Sequence, residues 1–391
     1  MTERIYFDHA ATTPLDPRVR EAMLPYLDES FGNPSSLHWA GREAHAAVDG
    51  ARAEVADLIG ARPTEIVFTG SGTEADNLAL RGVMERDGGH VVVSAFEHPA
   101  VIETCKYLAT RGVRVTQLPV GADGIVQPQS LVRALRPDTR LVSIMTANNV
   151  VGTIQPVTEL ARVTKEHGAL FHTDAVQAAG KLRLDVSSMN ADLLSLSAHK
   201  FHGPKGLGAL YVRAGVELTP IVFGGGQERG LRSATENVAG IVGFGRAAAI
   251  AREEMGDEAV RLVALRDRIV AAITEAIPNA YFIGHPYMRL PGHLCLGFAG
   301  QEGEAVRLLL ELDERGIAVS SGSACSSSHV GEPSYVLTSM GLDQIRARGS
   351  LRITMGRFTT TDEVDELLHA LPDAVGSLRT IASHAGFAVR A

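Results

Sequence analysis

Short apolar segments alternate with helical segments between residues 66 and 212, and this alternation restricts the fold more than any other feature of the sequence. Strand-like runs occupy residues 66–69, 90–94, 113–119, 141–145, 170–173, 193–196 and 209–212. Helical patterns at 73–86, 99–110 and 157–167 separate several of these runs. Strands that are apolar throughout are typical of sheets covered on both faces. The sequence therefore predicts an α/β fold with a mostly parallel central sheet covered by helices.

The C-terminal third of the chain lacks the regular alternation of strand-like and helical segments. A long helical pattern at 235–254 is followed by a charged helical pattern at 257–276 and then by mixed segments. The chain has 391 residues, of which 45% are hydrophobic, so it can bury more than one core. We therefore predict a large domain at 14–256 and a smaller domain at 257–391.

Charge and cysteine usage exclude several function classes. A net charge of −8 provides no overall basic field, so nucleic acid and membrane surfaces are not expected as direct partners. The N-terminus lacks a signal-peptide core and no apolar run is long enough to span a bilayer, which predicts a cytoplasmic protein. The three cysteines, Cys105, Cys295 and Cys325, form no close pair, so neither a zinc site nor a disulfide is expected.

The three cysteines differ in their surroundings. Cys105 and Cys295 have apolar neighbours, which predicts packed core thiols. Cys325 lies instead in the polar stretch 320–331, which is rich in serine and glycine. Such a stretch would leave its thiol exposed and able to reach a bound substrate, as a nucleophilic thiolate must.

A lysine-containing loop and an acid at a strand end predict the chemistry. Lys200 and Lys205 lie among turn-forming residues after the run 193–196, and desolvation allows such an amine to form a Schiff base with an aldehyde. Chemistry alone does not choose between the two lysines. Asp174 follows the run 170–173, and Gln177 comes three residues later, at the edge where parallel sheets bind ligands. A lysine and a buried carboxylate are the groups that pyridoxal phosphate requires.

Two further segments are expected at the same edge. The glycine-rich turn 69–77 joins a strand to a helix, so Gly72 and Thr73 are candidates for holding the phosphate at the helix N-terminus. His98 follows the run 90–94 and would meet Asp174 if the sheet is parallel. Its position alone does not distinguish it from the other thirteen histidines.

These motifs, together with 6–13, 320–331 and 352–360, resemble those of the cysteine desulfurases in the class V aminotransferase family, over nearly the whole chain. The resemblance implies the type I fold of pyridoxal-phosphate-dependent transferases, with residues 1–13 joining a smaller α+β domain. It also implies a homodimer with shared active sites, L-cysteine as the substrate and L-alanine as a product. Sulfur would leave as a persulfide for an acceptor protein such as an iron–sulfur scaffold.

The resemblance also implies roles for individual residues. It selects Lys200 for the Schiff base and for proton removal, Cys325 as the persulfide-forming nucleophile, and His98 as the imidazole stacked on the cofactor ring. It also implies a role for His98 in proton transfer near neutral pH. For the cofactor it implies contacts from Gly72, Thr73, Asn149, Asp174, Gln177, Ser197 and His199, and from Thr235 of the second subunit. Arg352, together with Asn149, would bind the substrate. No metal site is expected.

Three departures from the family pattern leave details open. Val150 stands where many members carry an acidic residue, Glu332 begins its motif two residues later after Cys325, and the C-terminal ending differs. A selenocysteine lyase, another aminotransferase-type enzyme and a catalytically silent scaffold remain alternatives, because fold alone does not fix the reaction. Iron–sulfur cluster assembly is the favoured destination of the sulfur, and thiolation of tRNA or of cofactors stays open.

Overall fold

The computed structural model describes residues 4–322 and 332–384, with side chains described as far as residue 378. Thirteen strands are present in this part of the chain. They are β1 (Ile5–Tyr6), β2 (Ile66–Thr69), β3 (His90–Ser94), β4 (Arg114–Leu118), β5 (Thr139–Ser143), β6 (Leu170–Asp174), β7 (Leu193–Ser197), β8 (Gly208–Val212), β9 (Ala280–Phe282), β10 (His293–Phe298), β11 (Ile317–Ala318), β12 (Ser320–Ser321) and β13 (Leu351–Thr354).

Eleven α-helices accompany the strands in the described ranges. They are α1 (Pro17–Met23), α2 (Trp39–Leu58), α3 (Gly72–Asp87), α4 (Pro99–Thr110), α5 (Pro128–Ala134), α6 (Val157–His167), α7 (Val238–Ala276), α8 (Ala305–Glu314), α9 (Tyr335–Ser339), α10 (Gln344–Arg348) and α11 (Thr361–His384). No described helix is both long enough and apolar enough to cross a bilayer.

The main sheet has seven strands in the order β2-β8-β7-β6-β5-β3-β4. Neighbouring strands from β7 to β4 are parallel, whereas β8 is antiparallel to both β2 and β7. Only residues 198–207 connect β7 to β8, and such a connection is too short for a crossover helix, so the chain reverses direction. Apolar residues fill both faces of the sheet. The predicted α/β fold with a mostly parallel, helix-covered sheet is confirmed.

A second sheet, in the C-terminal part, is antiparallel with the order β12-β13-β10-β9. Near it, the N-terminal β1 pairs in parallel with β11. Ile5 and Phe7 consequently lie in the same apolar cluster as Leu351 and Leu367. This pairing brings the residues that follow β1 close to the main sheet, where the carbonyl oxygens of Ala10 and Ala11 contact Lys200. The division into domains at residue 256 stays a prediction.

Helix α7 differs from the expectation of two helices meeting near residue 255. It runs unbroken through 39 residues. Its first half contributes Phe244 and Ile250 to the core of the main sheet, and its second half contributes Leu265 and Ile269 to the C-terminal cluster. The expected boundary between the two helical patterns is absent because the junction contains no proline, and Gly256 alone costs only about 1 kcal/mol in a helix interior.

Candidate active site

An open cleft of about 930 Å³ lies at the carboxyl ends of the parallel strands. The structure brings to it every predicted site residue that it describes except Thr235, namely Gly72, Thr73, His98, Asn149, Asp174, Gln177, Ser197, His199, Lys200 and Arg352. Thr235 lies in an exposed loop before α7, outside this cleft. The contact predicted for Thr235 is with the cofactor phosphate of the other subunit, and it stays a prediction. Cys325 lies outside the described residues.

Lys200 ends a short 3₁₀ turn that follows β7 directly. Its Nζ donates hydrogen bonds to the carbonyl oxygens of Ala10, at 2.6 Å, and Ala11, at 2.8 Å. The chain segment after β1 therefore holds the amine in the cleft. Lys205, in contrast, is exposed and does not line the cleft. The geometry thus favours Lys200 where lysine chemistry alone leaves the choice open.

Asp174 is the last residue of β6, and its carboxylate is buried. Its Oδ1 accepts a hydrogen bond from the amide of Val176 at 2.8 Å. Burial raises the pKa of Asp174 to about 6, although the Val176 amide and the Lys200 charge act in the opposite direction. A carboxylate that is costly to ionise gains most from a nearby cation. The protonated ring nitrogen of pyridoxal phosphate would be such a cation.

Two buried groups near Asp174 were not predicted from the sequence, namely Asp76 and His172. Asp76, on α3, is buried and lines the cleft, and burial together with Asp174 raises its pKa well above the usual range. His172 lies 3.7 Å from it and shares a hydrogen bond with Ser195 at 3.0 Å. Asp76 lies one helical turn after Gly72, within the glycine-rich stretch 69–77, and this spacing is the signal that could have found it.

The N-terminus of α3 borders the cleft through Ser71, Gly72 and Thr73. Ser71 caps the helix by accepting a hydrogen bond from the Glu74 amide at 3.0 Å. A Cβ atom placed on Gly72 would lie 2.7 Å from Cγ2 of Val176, so the close approach requires glycine here. The first amides of this long helix are therefore accessible to an anion, which the helix dipole also favours.

His98 caps the N-terminus of α4, where its Nδ1 accepts a hydrogen bond from the Ala100 amide at 3.1 Å. Because Nδ1 is the acceptor, the ring proton of the neutral imidazole is on Nε2. Burial, and then the charge of Lys200, lowers the pKa of His98 to about 4. Near neutral pH the ring is therefore uncharged, and Nε2–H is the group that it can offer to a ligand.

Arg352, on β13, is only 1% exposed although it carries a guanidinium. Nη2 pairs with Oδ1 of Asp8 at 2.7 Å, and Nη1 donates to the carbonyl oxygen of Asn149 at 2.9 Å. Nε has no hydrogen-bond partner among the described residues. A buried guanidinium with an unused N–H is suited to binding a carboxylate. Asp8, whose role the sequence did not indicate, holds it in position.

The residues of the cleft fit pyridoxal phosphate. Gly72 and the start of α3 offer amides for the phosphate, the buried Asp174 offers the partner for a protonated ring nitrogen, and Lys200 offers an amine for the aldehyde. His199 is also suited to a neutral hydrogen-bonding role, because burial and the charges of Lys200 and Lys205 lower its pKa to about 4.

Comparisons with known proteins agree with this geometry. The family model described as "Aminotransferase class-V" matches residues 5–367. A cysteine desulfurase IscS from Dictyoglomus turgidum is 46% identical over 387 residues, which are 98% of each chain.

Solved structures are similar as well. A NifS-like protein has a TM-score of 0.90 and 40% identity, and the match covers 96% of this chain and all of that one. A structure of SspA in complex with cysteine has a TM-score of 0.79 and 39% identity, covering 91% of this chain and all of that one. This chain therefore belongs to the class-V aminotransferase family, among its cysteine desulfurases.

Proposed function

We propose that this protein is a cysteine desulfurase that converts L-cysteine to L-alanine and retains the sulfur as a persulfide on Cys325. The observation that carries the proposal is the buried Arg352 in the same cleft as Lys200 and Asp174. A carboxylate-binding group next to an amine and a buried acid is the arrangement required for an amino-acid substrate. The relatives named as cysteine desulfurases, and the neighbour in complex with cysteine, support L-cysteine as that amino acid.

Pyridoxal phosphate is the proposed cofactor, held covalently by Lys200 and non-covalently by the start of α3, Asp174 and Gln177. When bound, it supplies an electron sink that makes the Cα–H bond of the substrate acidic. Asp174 would maintain that sink by pairing with the protonated ring nitrogen. His98 would stack on the ring as a neutral imidazole, with its Nε2–H available for hydrogen bonding.

Lys200 has two tasks during turnover. Its amine would hold the cofactor covalently through the aldehyde. As a free amine in the cleft, it would serve as the general base that accepts the proton from Cα of the substrate. Arg352 would bind the substrate carboxylate through its guanidinium, which Asp8 keeps aligned.

Sulfur transfer is assigned to the Cys325 thiolate. The thiolate attacks the sulfur of the bound cysteine, so an S–S bond forms as the C–S bond breaks. The electron pair of the C–S bond stays with the carbon fragment, which takes up a proton and leaves as L-alanine. The substrate sulfur is thereby transferred as a formally neutral sulfur atom, and no external oxidant is required. A second thiol, on an acceptor protein, then removes it from the persulfide.

A homodimer, a cytoplasmic location and an iron–sulfur scaffold as the acceptor are further parts of the proposal. Large apolar side chains are exposed along one segment near the N-terminus: Leu24, Leu27, Phe31, Leu37 and Trp39. An apolar surface of this kind is typical of an interface between subunits. The exposed position of Thr235 is compatible with a contact to the cofactor phosphate of the other subunit.

The function is tested by measuring alanine and sulfide from L-cysteine plus a reductant. We expect both products from the wild type and none above background from Cys325→Ala, which should retain the visible absorption of the bound cofactor. Cys105→Ala is the matched control, because it removes a thiol that is buried in a core. Equal turnover by Cys325→Ala and the wild type would show that Cys325 does not accept the sulfur. Conversion of selenocysteine alone would support the lyase alternative.

Replacement of Arg352 by lysine is expected to raise KM for L-cysteine roughly 10- to 150-fold, because a lysine ammonium cannot form the two parallel hydrogen bonds of a guanidinium and a hydrogen bond to a charged group contributes about 1.5–3 kcal/mol. The affinity of the protein for pyridoxal phosphate should remain within about threefold of wild type, since Arg352 is assigned to the substrate alone. Steady-state kinetics and a cofactor titration measure the two effects. A large loss of cofactor affinity with an unchanged KM would contradict the assignment.

A further inference from the structure

The side chain of Gln177 is held between two groups that fix the orientation of its amide. Its Nε2 donates to the carbonyl oxygen of Ala10 at 2.9 Å, and its Oε1 accepts from Nζ of Lys181 at 3.2 Å. A carbonyl oxygen only accepts hydrogen bonds and an ammonium only donates them. Rotating the amide by 180° would therefore place two acceptors together and two donors together. Both contacts favour the same orientation.

This orientation places an N–H donor next to the reactive lysine. The carbonyl oxygen of Ala10 also accepts a hydrogen bond from Lys200 Nζ, at 2.6 Å. Nε2 of Gln177 and Nζ of Lys200 thus converge on one oxygen atom and lie on the same side of the cleft. The oxygen substituent of a pyridoxal ring is on the carbon adjacent to the one that bears the aldehyde. A group bound to Lys200 would present that oxygen toward the amide of Gln177.

Lys181 approaches from a different side. It lines a second pocket, whereas Gln177 lines the main cleft, and both Ala10 and Lys200 border the two spaces. Lys181 is four residues after Gln177, in the turn that follows β6. Its amine therefore contacts the amide of Gln177 from the side of the second pocket.

We propose that Lys181 is a positioning residue, which holds Oε1 of Gln177 so that the amide N–H faces the cofactor's ring oxygen and favours its ionised form. This inference rests on the proposed function only insofar as pyridoxal phosphate occupies the cleft. It does not involve Cys325 or the transfer of sulfur. Lys181 itself is not among the residues that line the cleft.

The charges around Lys181 determine how strongly it can act. Burial, and then the charge of Lys200, lowers the pKa of Lys181 to about 7, while Glu258 raises it and Arg352 lowers it further. Four neutral histidines also face this region, with pKa values lowered mainly by burial: His9, His199, His202 and His293. A neutral amine still donates to Oε1, so the contact persists when Lys181 loses its proton. The charge adds selectivity, because an ammonium cannot accept a hydrogen bond from a rotated amide.

The test compares Lys181→Met with wild type after both are loaded with pyridoxal phosphate. We expect the pH midpoint of the cofactor's visible absorption band to rise by about 1 pH unit, as the loss of one oriented hydrogen bond predicts. The cofactor dissociation constant should rise about 10-fold, kcat should fall about 10-fold, and KM for L-cysteine should stay within about twofold of wild type. Lys181→Arg retains a donor and should restore the wild-type midpoint.

A double-mutant cycle with Gln177→Ala separates positioning from a simple charge effect. If Lys181 acts through Gln177, then Lys181→Met should shift the midpoint little in the Gln177→Ala background. An equal shift in both backgrounds, or no shift in either, would overturn the proposal. If Lys181→Met does not fold, Lys181→Gln provides the same comparison with a polar side chain. If the wild type binds the cofactor but releases no alanine, the proposed function is refuted. The pH midpoint of the cofactor's absorption band can still be measured, so the role of Lys181 remains testable.

Discussion

Replacement of Lys200 by alanine is expected to lower kcat by about 10⁴-fold or more. The substitution removes both the covalent link to the cofactor and the general base that takes the Cα proton, and general bases alone contribute about 10²–10⁴-fold. It also removes the donor to the carbonyl oxygens of Ala10 and Ala11. Single-turnover measurement of alanine release determines the rate, and borohydride reduction followed by mass spectrometry determines whether the cofactor becomes covalently attached.

Lys205→Ala is the matched control for this experiment. Lys205 is five residues away in the same loop, but it is exposed and outside the cleft, so activity and covalent attachment should remain near wild type. Covalent attachment of the cofactor to Lys200→Ala at another lysine would show that the assignment of the reactive amine is wrong. So would loss of attachment in Lys205→Ala alone.

Asp174→Asn should have opposite effects on catalysis and on the stability of the apoprotein. In catalysis, an amide no longer supplies a charge to the ring nitrogen, so kcat should fall roughly 10²–10³-fold, as when one preorganised electrostatic partner is removed. In the apoprotein, asparagine can still accept the hydrogen bond from Val176 but carries no buried charge. The variant should therefore be more stable than wild type at alkaline pH.

The sign follows from the pKa of Asp174, which burial raises to about 6. The folded protein retains this proton to a higher pH than the unfolded chain, so wild-type stability is lost as pH rises from about 4 through about 6. Asparagine does not titrate, and the apo variant should gain on the order of 2 kcal/mol over wild type at pH 8 but little at pH 4.

Chemical denaturation of the apoproteins at the two pH values measures this effect. Asp87→Asn, at an exposed position, is the control and should give the same small difference at both pH values. A destabilised Asp174→Asn apoprotein at pH 8 would contradict the argument. It would show that the carboxylate is stabilised by the fold itself without any cofactor.

The sequence predicted the main sheet well because its strands are short, apolar and separated by helices. The predicted runs 66–69 and 90–94 coincide with β2 and β3. The predicted run 141–145 begins two residues after β5, which starts at Thr139. Thr139 is polar, so a search for apolar residues does not detect that it is buried and hydrogen-bonded to His90. Strand order and direction depend on which segments pair, and local pattern does not determine that.

The site could be predicted where a residue type is unusual for its surroundings, as for Asp174 at the end of an apolar strand. Asp8 and Lys181 could not be identified in this way. Both are ordinary charged residues, and their importance comes from their partners in the fold. Asp8 meets Arg352, which is distant in sequence, and Lys181 meets Gln177 across a tight turn. Their roles depend on tertiary contacts, which a single sequence does not display.

Helix α7 has a mechanical consequence. At 1.5 Å per residue it is about 58 Å long. Its continuous backbone hydrogen bonding connects the core under the main sheet to the C-terminal cluster. Truncation after residue 256 would remove the second half of α7 and the apolar cluster against which Ile5 and Phe7 pack. The segment carrying Ala10 would then lose its anchor. The two cores are thus expected to melt in one transition, because one continuous helix belongs to both.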